Sequence, residues 1–298
     1  MTTEEAFIKV LQMHGIEHAF GIIGSAFMPI SDLFPKAGIT FWDVAHETNG
    51  GLIADGYTRS TGKISMVIAQ NGPGITGLVT PIKTAYWNHT PLLLVTPQAA
   101  NKTMGQGGFQ EVEQMNLFKD MVCYQEEVRD PSRMAEVLNR VIEKAIRGSA
   151  PAQINVPRDY WTQVIDIELP PIVRLERQGG GAEAIDKAAK LLSNAKFPVI
   201  LSGAGVVIGD AINETKKLAE ILGLLIDHHT NTQSVPFWKE QLKSRVQAEI
   251  RQQASQMCKI FLQTTSHMIG IVDYSCKFFC YTRFEQQTST QQCAIFPK

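Results

Sequence analysis

His46 and Glu47 open a run that closes on Thr61-Gly62-Lys63 and holds Gly50, Gly51, Ala54 and Gly56. An acid at the mouth of such a tightly packing segment is costly to bury unless something partners it. The partner decides the chemistry. It is either a ligand group that shares a proton with the carboxylate or the positive end of the helix that Glu47 begins. Leu52, Ile53 and Tyr57 recur at helical spacing and predict the apolar face of that helix, with Gly62 as its stop. A second cluster is Asn71-Gly72-Pro73-Gly74, where missing side chains let the backbone approach a ligand closely; an ordinary strand-to-helix turn is the alternative. Gly24 and Ser25 lie in a third turn and could face a substrate, as could His46 and His89.

These residues fall between elements that alternate in type. Residues 3–14, 27–33, 75–88, 112–118 and 131–148 read as helices, and 18–24, 39–44, 63–69, 91–96 and 152–157 as strands. The expected fold is therefore α/β, a parallel sheet with helices on both faces, and the nearly all-apolar strands fit a sheet buried on both sides. In such a sheet ligands bind beyond the carboxyl ends of the strands. The loops 21–25, 45–47 and 70–74 fall there, with Glu47 in the second. Cys123 follows Met121 and Val122 and is expected in the core.

The chain has 298 residues, 44% apolar and 19% charged, with net charge -1. That balance does not suggest a surface for nucleic acid or an anionic membrane, and neither partner is expected. No apolar run is long enough to span a bilayer, and the acidic start is unlike a signal peptide, so a cytoplasmic enzyme is expected. Residues 1–165 form one expected domain, 166–182 a Pro- and Gly-punctuated linker, and 183–226 the start of a Rossmann-like second unit. Residues 227–298 differ, with one glycine against eleven glutamines and weak periodicity; the expectation is an atypical tail that is not a native domain. His228, His229, His267, Cys258, Cys276 and Cys280 supply metal-ligand types there. They lack paired CxxC spacing, so no metal site is expected.

In order and spacing, His46-Glu47, Ala54-Asp55-Gly56-Tyr57, Thr61-Gly62-Lys63, Asn71-Gly72-Pro73-Gly74, Gly108-Phe109-Gln110-Glu111 and Pro151 to Asp159 resemble a known pattern. It is that of the N-terminal, pyrimidine-binding domain of thiamine-diphosphate-dependent enzymes in the acetolactate-synthase-like superfamily. The resemblance implies thiamine diphosphate as cofactor and Glu47 as the catalytic carboxylate that hydrogen-bonds N1' of the aminopyrimidine. That bond favours the form whose 4'-imino group deprotonates C2. It also implies cofactor contacts from Asn71, Gly72, Pro73 and Gly74, and a cleft lined by Phe109 and Gln110 from the neighbouring subunit.

The activity implied is thiamine-dependent acyl transfer to a small molecule, by at least a homodimer with the active site at its interface. An acetolactate-synthase-like carboligase or decarboxylase is one alternative. An inactive module that associates with a full-length homologue is another. In the family a Gly-Asp-Gly motif and a later Asn hold Mg²⁺ on the diphosphate. Here the nearest string is Gly209-Asp210-Ala211, so the magnesium module is not found and an incomplete form of the enzyme is expected, without activity or tight cofactor affinity by itself.

Overall fold

The computed structural model describes residues 1–172, 181–195 and 199–222, with the strands Ile226–His228, Ile269–Asp273 and Lys277–Tyr281. It divides into two compact units: Met1–Gly180 with Val207–Asp210, and Gly181–Val206 with Ala211–Lys298.

The first unit begins with α1 (Thr3–Met13), opened by a capping box in which Thr2 and Glu5 bond each other's backbone. Then come β1 (His18–Gly21), α2 (Met28–Ser31), α3 (Phe34–Ala37), β2 (Thr40–Asp43), α4 (Glu47–Thr61) and β3 (Ser65–Ile68). They are followed by α5 (Pro73–Thr76), α6 (Val79–Trp87), β4 (Leu92–Gln98), α7 (Gln114–Phe118), β5 (Tyr124–Glu127), α8 (Met134–Gly148) and β6 (Ala152–Pro157).

The six strands form one parallel sheet in the order β2-β1-β3-β4-β6-β5. Alternate side chains enter two cores, as the period of a strand requires. Met66, Ile68, Leu93, Val95 and Ile154 join α1, α2, α3 and α8 in one. Val67, Ala69, Leu92 and Leu94 join α4, α6 and α7 in the other. The expected α/β sheet with helices on both faces is what forms.

Four local expectations fail. The buried face of α4 is Gly50, Gly51, Ala54, Asp55 and Thr58, whereas Leu52 is 43% and Ile53 48% exposed. Packing distance, not apolarity, selected that face: a Cβ on Gly51 would stand 2.5 Å from Pro81 Cγ, and one on Gly50 3.2 Å from the Gly21 nitrogen. The helix read over 75–88 is broken at Gly77-Leu78 into α5 and α6. β5 was not expected. It is an edge strand, so Tyr124-Gln125-Glu126-Glu127 is half-exposed and lacks an apolar run. Cys123, expected in the core, is exposed.

The second unit comprises α9 (Ala182–Asn194), β7 (Val199–Ser202), the first three residues of α10 (Ala204–Ile208), α11 (Ile212–Leu222), β8 (Ile226–His228), β9 (Ile269–Asp273) and β10 (Lys277–Tyr281). Its strands lie in the order β10-β9-β7-β8. The metal-ligand residues weighed in the tail lie outside the described residues, save the backbones of His228 in β8 and Cys280 in β10. Among the described residues no helix is long and apolar enough to cross a membrane.

Gly51→Val should therefore destabilise the first unit by about 1–3 kcal/mol through overpacking against Pro81. Leu52→Ser, one residue on, should stay within about 0.5 kcal/mol because its side chain is exposed. Urea unfolding of both variants checks the inverted face of α4.

Candidate functional site

The chain leaves β1 for β2 at the sheet's edge, then returns past β1 to β3. Strand order reverses there, and the carboxyl ends of β1 and β3 at such a reversal are where sheets of this kind form a ligand crevice. Three loops reach this edge: residues 22–27 after β1, 44–46 after β2 and 69–72 after β3.

Glu47 is the first residue of α4. His46 is the N-cap, its Nδ1 accepting from the Thr48 N–H at 3.2 Å. The Thr48 hydroxyl donates to the Gly77 carbonyl at 2.6 Å and pins the start of α4 to the segment after α5. The half-buried Glu47 carboxylate consequently lies against glycine backbone. A Cβ on Gly74 would be 3.1 Å from Oε1, and one on Gly77 3.6 Å from Oε2. No hydrogen bond or ion pair engages this carboxylate among the described residues.

The turn after β3 is strapped to a segment far away in sequence. Asn71, 2% exposed, donates from Nδ2 to the carbonyls of Phe109 (3.0 Å) and Gln110 (2.9 Å). Gly72 has φ 74°, and a Cβ there would lie 2.6 Å from the Gln110 carbonyl oxygen. Its N–H donates to Oε1 of the fully buried Gln114 at 3.4 Å. Gln114 Nε2 in turn donates to the Pro97 carbonyl (2.8 Å) and to Asn155 Oδ1 (3.1 Å), anchoring the turn in the sheet. The glycine-rich approach to Phe109 is shaped by Glu111, which accepts from the N–H groups of Gly105 (2.5 Å) and Gly108 (2.9 Å).

Glu47, Gly72 and Gly74 are thus assembled around one crevice, with Phe109 and Gln110 of the same chain strapped to Gly72. Phe109 is 70% exposed, which removes core packing as its role. Gly24 and the exposed Ser25 lie in the loop after β1. Pro73 is the first residue of α5 and is exposed. The Asn71 side chain is committed to the strap and His46 to its cap. His89 stands apart: it precedes β4, at the amino edge of the sheet, whereas these loops lie at the carboxyl edge. Sequence reading missed Gln70, Thr48 and Gln114. For Gln70 the signal was available, an amide at the end of an otherwise apolar strand; Gln114 carried none.

Known proteins resemble this part of the chain. Residues 1–117 match the family model of the thiamine pyrophosphate enzyme N-terminal TPP-binding domain. A sulfoacetaldehyde acetyltransferase of Roseovarius nubinhibens is 80% identical over 222 residues, covering 74% of this chain and 37% of that protein. A probable sulfoacetaldehyde acetyltransferase of Rhizobium meliloti is 77% identical over the same length, covering 74% and 38%. A probable acetolactate synthase large subunit of Methanocaldococcus jannaschii is 34% identical over 230 residues, covering 74% and 39%. The chain spans under two fifths of the length of these relatives. The thiamine diphosphate-dependent 4-hydroxybenzoylformate decarboxylase of Rhodococcus jostii RHA1 superposes with a TM-score of 0.69. The match covers 79% of this chain and 46% of that one at 23% identity, a likeness of fold.

In the first unit the left-handed Gly72 holds the strap. Gly72→Ala should destabilise the fold by about 1–3 kcal/mol, combining backbone strain with displacement of Gln110. Thermal unfolding measures the loss, and increased proteolysis within residues 104–110 would locate it.

Proposed function

We propose that Glu47 is the catalytic carboxylate of a thiamine-diphosphate-dependent acyltransferase that converts sulfoacetaldehyde and phosphate to acetyl phosphate and sulfite. The observation that carries the reading is the carboxylate itself, half-buried, unpaired and set against glycine backbone. An unpaired carboxylate in a partly desolvated site suits a ligand group that brings its own proton. The relatives at 70–80% identity that are named sulfoacetaldehyde acetyltransferases, probable in one case, support the substrate.

When bound, thiamine diphosphate would supply a nucleophilic carbon for a substrate carbonyl. Glu47 holds a proton on the pyrimidine nitrogen N1' and keeps that ring in the tautomer the reaction needs. Gly72 and Gly74 would border the ring with backbone from Asn71 and Pro73, their missing Cβ atoms making room for the Gln110 carbonyl and the Glu47 carboxylate. Phe109 covers the cleft, and Gln110 offers it an amide. Gly24, Ser25 and His46 border the substrate side. Mg²⁺ would hold the diphosphate from residues outside the first unit. The working form is a homo-oligomer in the cytoplasm, its active site at the interface. The exposed Leu52 and Ile53, on the helix that Glu47 begins, suit such burial.

Thiamine diphosphate with Mg²⁺ should shift the amide resonances of Gly72, Gly74 and Gly77 in the labelled chain, and Glu47→Gln should abolish those shifts while leaving the fold intact. Shifts elsewhere, or unchanged shifts in Glu47→Gln, would sink the assignment. Sulfite release from sulfoacetaldehyde and phosphate, assayed on the chain co-expressed with a full-length relative, reports the reaction. Glu47→Gln should lower this chain's contribution by about 10²–10⁴-fold. Consumption of pyruvate without sulfite release would favour the acetolactate-synthase-like alternative. Activity indifferent to Glu47→Gln would favour an inactive associating module.

A further inference from the structure

Gln70 follows β3 at the strand-order reversal, and its side-chain amide ties together three segments around the crevice. Oε1 accepts from the Ala26 N–H at 3.0 Å, in the loop after β1. Nε2 donates to Asn71 Oδ1 at 2.6 Å and to Gln110 Oε1 at 3.2 Å. The side chain fills the space a Cβ on Gly24 would need. The Ala26 peptide is fixed from its other end, its carbonyl accepting from Trp161 Nε1 at 3.0 Å.

Backbone groups dictate the polarity of this cluster. The Ala26 N–H can only donate, so the amide oxygen of Gln70 faces it and the nitrogen faces Asn71 and Gln110. The carbonyls of Phe109 and Gln110 can only accept, so Asn71 turns Nδ2 to them and Oδ1 to Gln70. Two independent constraints therefore agree on the bond from Gln70 to Asn71. The second Nε2 hydrogen of Gln70 takes Gln110 Oε1, and Gln70 has no donor left for a ligand. Gln110 keeps both Nε2 hydrogens, with no partner among the described residues. Its backbone, at φ 57°, is held in the left-handed region by the strap.

We propose that Gln70 is a positioning residue that sets the amide orientation of Gln110, so that Gln110 presents its NH₂ group to an acceptor atom of the bound ligand. Only the identity of that ligand rests on the thiamine reading; the orientation stands on the protein alone.

Side-chain amide exchange in the isotope-labelled full chain, free of ligand, tests the orientation. The NH₂ hydrogens of Gln70 and Asn71 should exchange about tenfold more slowly than those of Gln110. Gln70→Glu keeps the shape but has no amide hydrogens. Gln110 must then turn over and donate to it, and its NH₂ should become the protected group. Gln70→Met offers no partner and should leave Gln110 exchanging fast. Protected Gln110 hydrogens in the wild-type chain, or Gln110 signals that Gln70→Glu leaves unmoved in a folded protein, would overturn the proposal. If neither variant folds, the wild-type pattern alone decides. Titration with thiamine diphosphate and Mg²⁺ forms a separate arm, in which Gln70→Glu should weaken binding about tenfold. If the free-chain pattern is as expected but titration moves no Gln110 signal, the orientation holds and the thiamine reading of the crevice fails.

Discussion

Everything around Glu47 depends on how closely backbone approaches backbone at the mouth of α4. Gly50 meets Gly21, Gly51 meets Pro81, and Gly74 and Gly77 face the carboxylate itself. A Cβ at Gly51 would sit 2.6 Å or less from two atoms of the Pro81 ring, and no side-chain rotation relieves contact with a ring fixed to its own backbone. The helix is held at that distance by Thr48, whose hydroxyl bonds the Gly77 carbonyl. A carboxylate attached to such a helix cannot retreat without moving the helix. Its position is thus a property of the packing more than of its own rotamer.

That dependence explains what the sequence could and could not reveal. The parallel sheet was legible because strands such as Leu92-Leu93-Leu94-Val95 are apolar on both faces, and the crevice followed from topology. The glycine stop of α4 was legible too, since Gly62 takes the left-handed conformation that ends a helix cheaply. The buried face of α4 was not. Apolar periodicity assumes that the core wants large side chains, but here it wants small ones, and Leu52 and Ile53 are turned outward. β5 escaped notice for a related reason: at a sheet's edge the signal of burial fades into charge. The thiol of Cys123 was misplaced because neighbouring apolar residues say little about a residue at the start of an edge strand.

The site itself was half legible. Glu47, Gly72, Gly74 and Gln110 could be singled out by motif, yet the bonds that fix their relative positions span 29 to 44 residues of sequence, and apart from Gln70 the groups that make them carry little local signature. A hydrogen bond of this kind contributes only about 1 kcal/mol net, but a buried amide left unbonded costs about 1–3 kcal/mol. The network around Gln70, Asn71 and Gln114 is therefore better understood as selecting one arrangement than as adding stability. Any alternative pairing would strand a buried donor or acceptor, and the low cost of the right pairing comes with a high cost for every wrong one.

Asp55 shows what the same helix does with an acid that serves the fold. It is buried two turns along from Glu47, accepts from the Thr90 hydroxyl at 2.6 Å and Asn88 Nδ2 at 3.3 Å, and pairs with Arg59 at 3.6 Å. Every demand of that carboxylate is met within the chain. Glu47 belongs to the same helix, and among the described residues the fold supplies it with glycine backbone and no donor. If both acids were structural, both should be paired, because leaving a partly buried carboxylate without a donor forfeits stability that a single serine or threonine opposite it could restore. The contrast between the two is the physical reason to regard Glu47 as held open for a ligand.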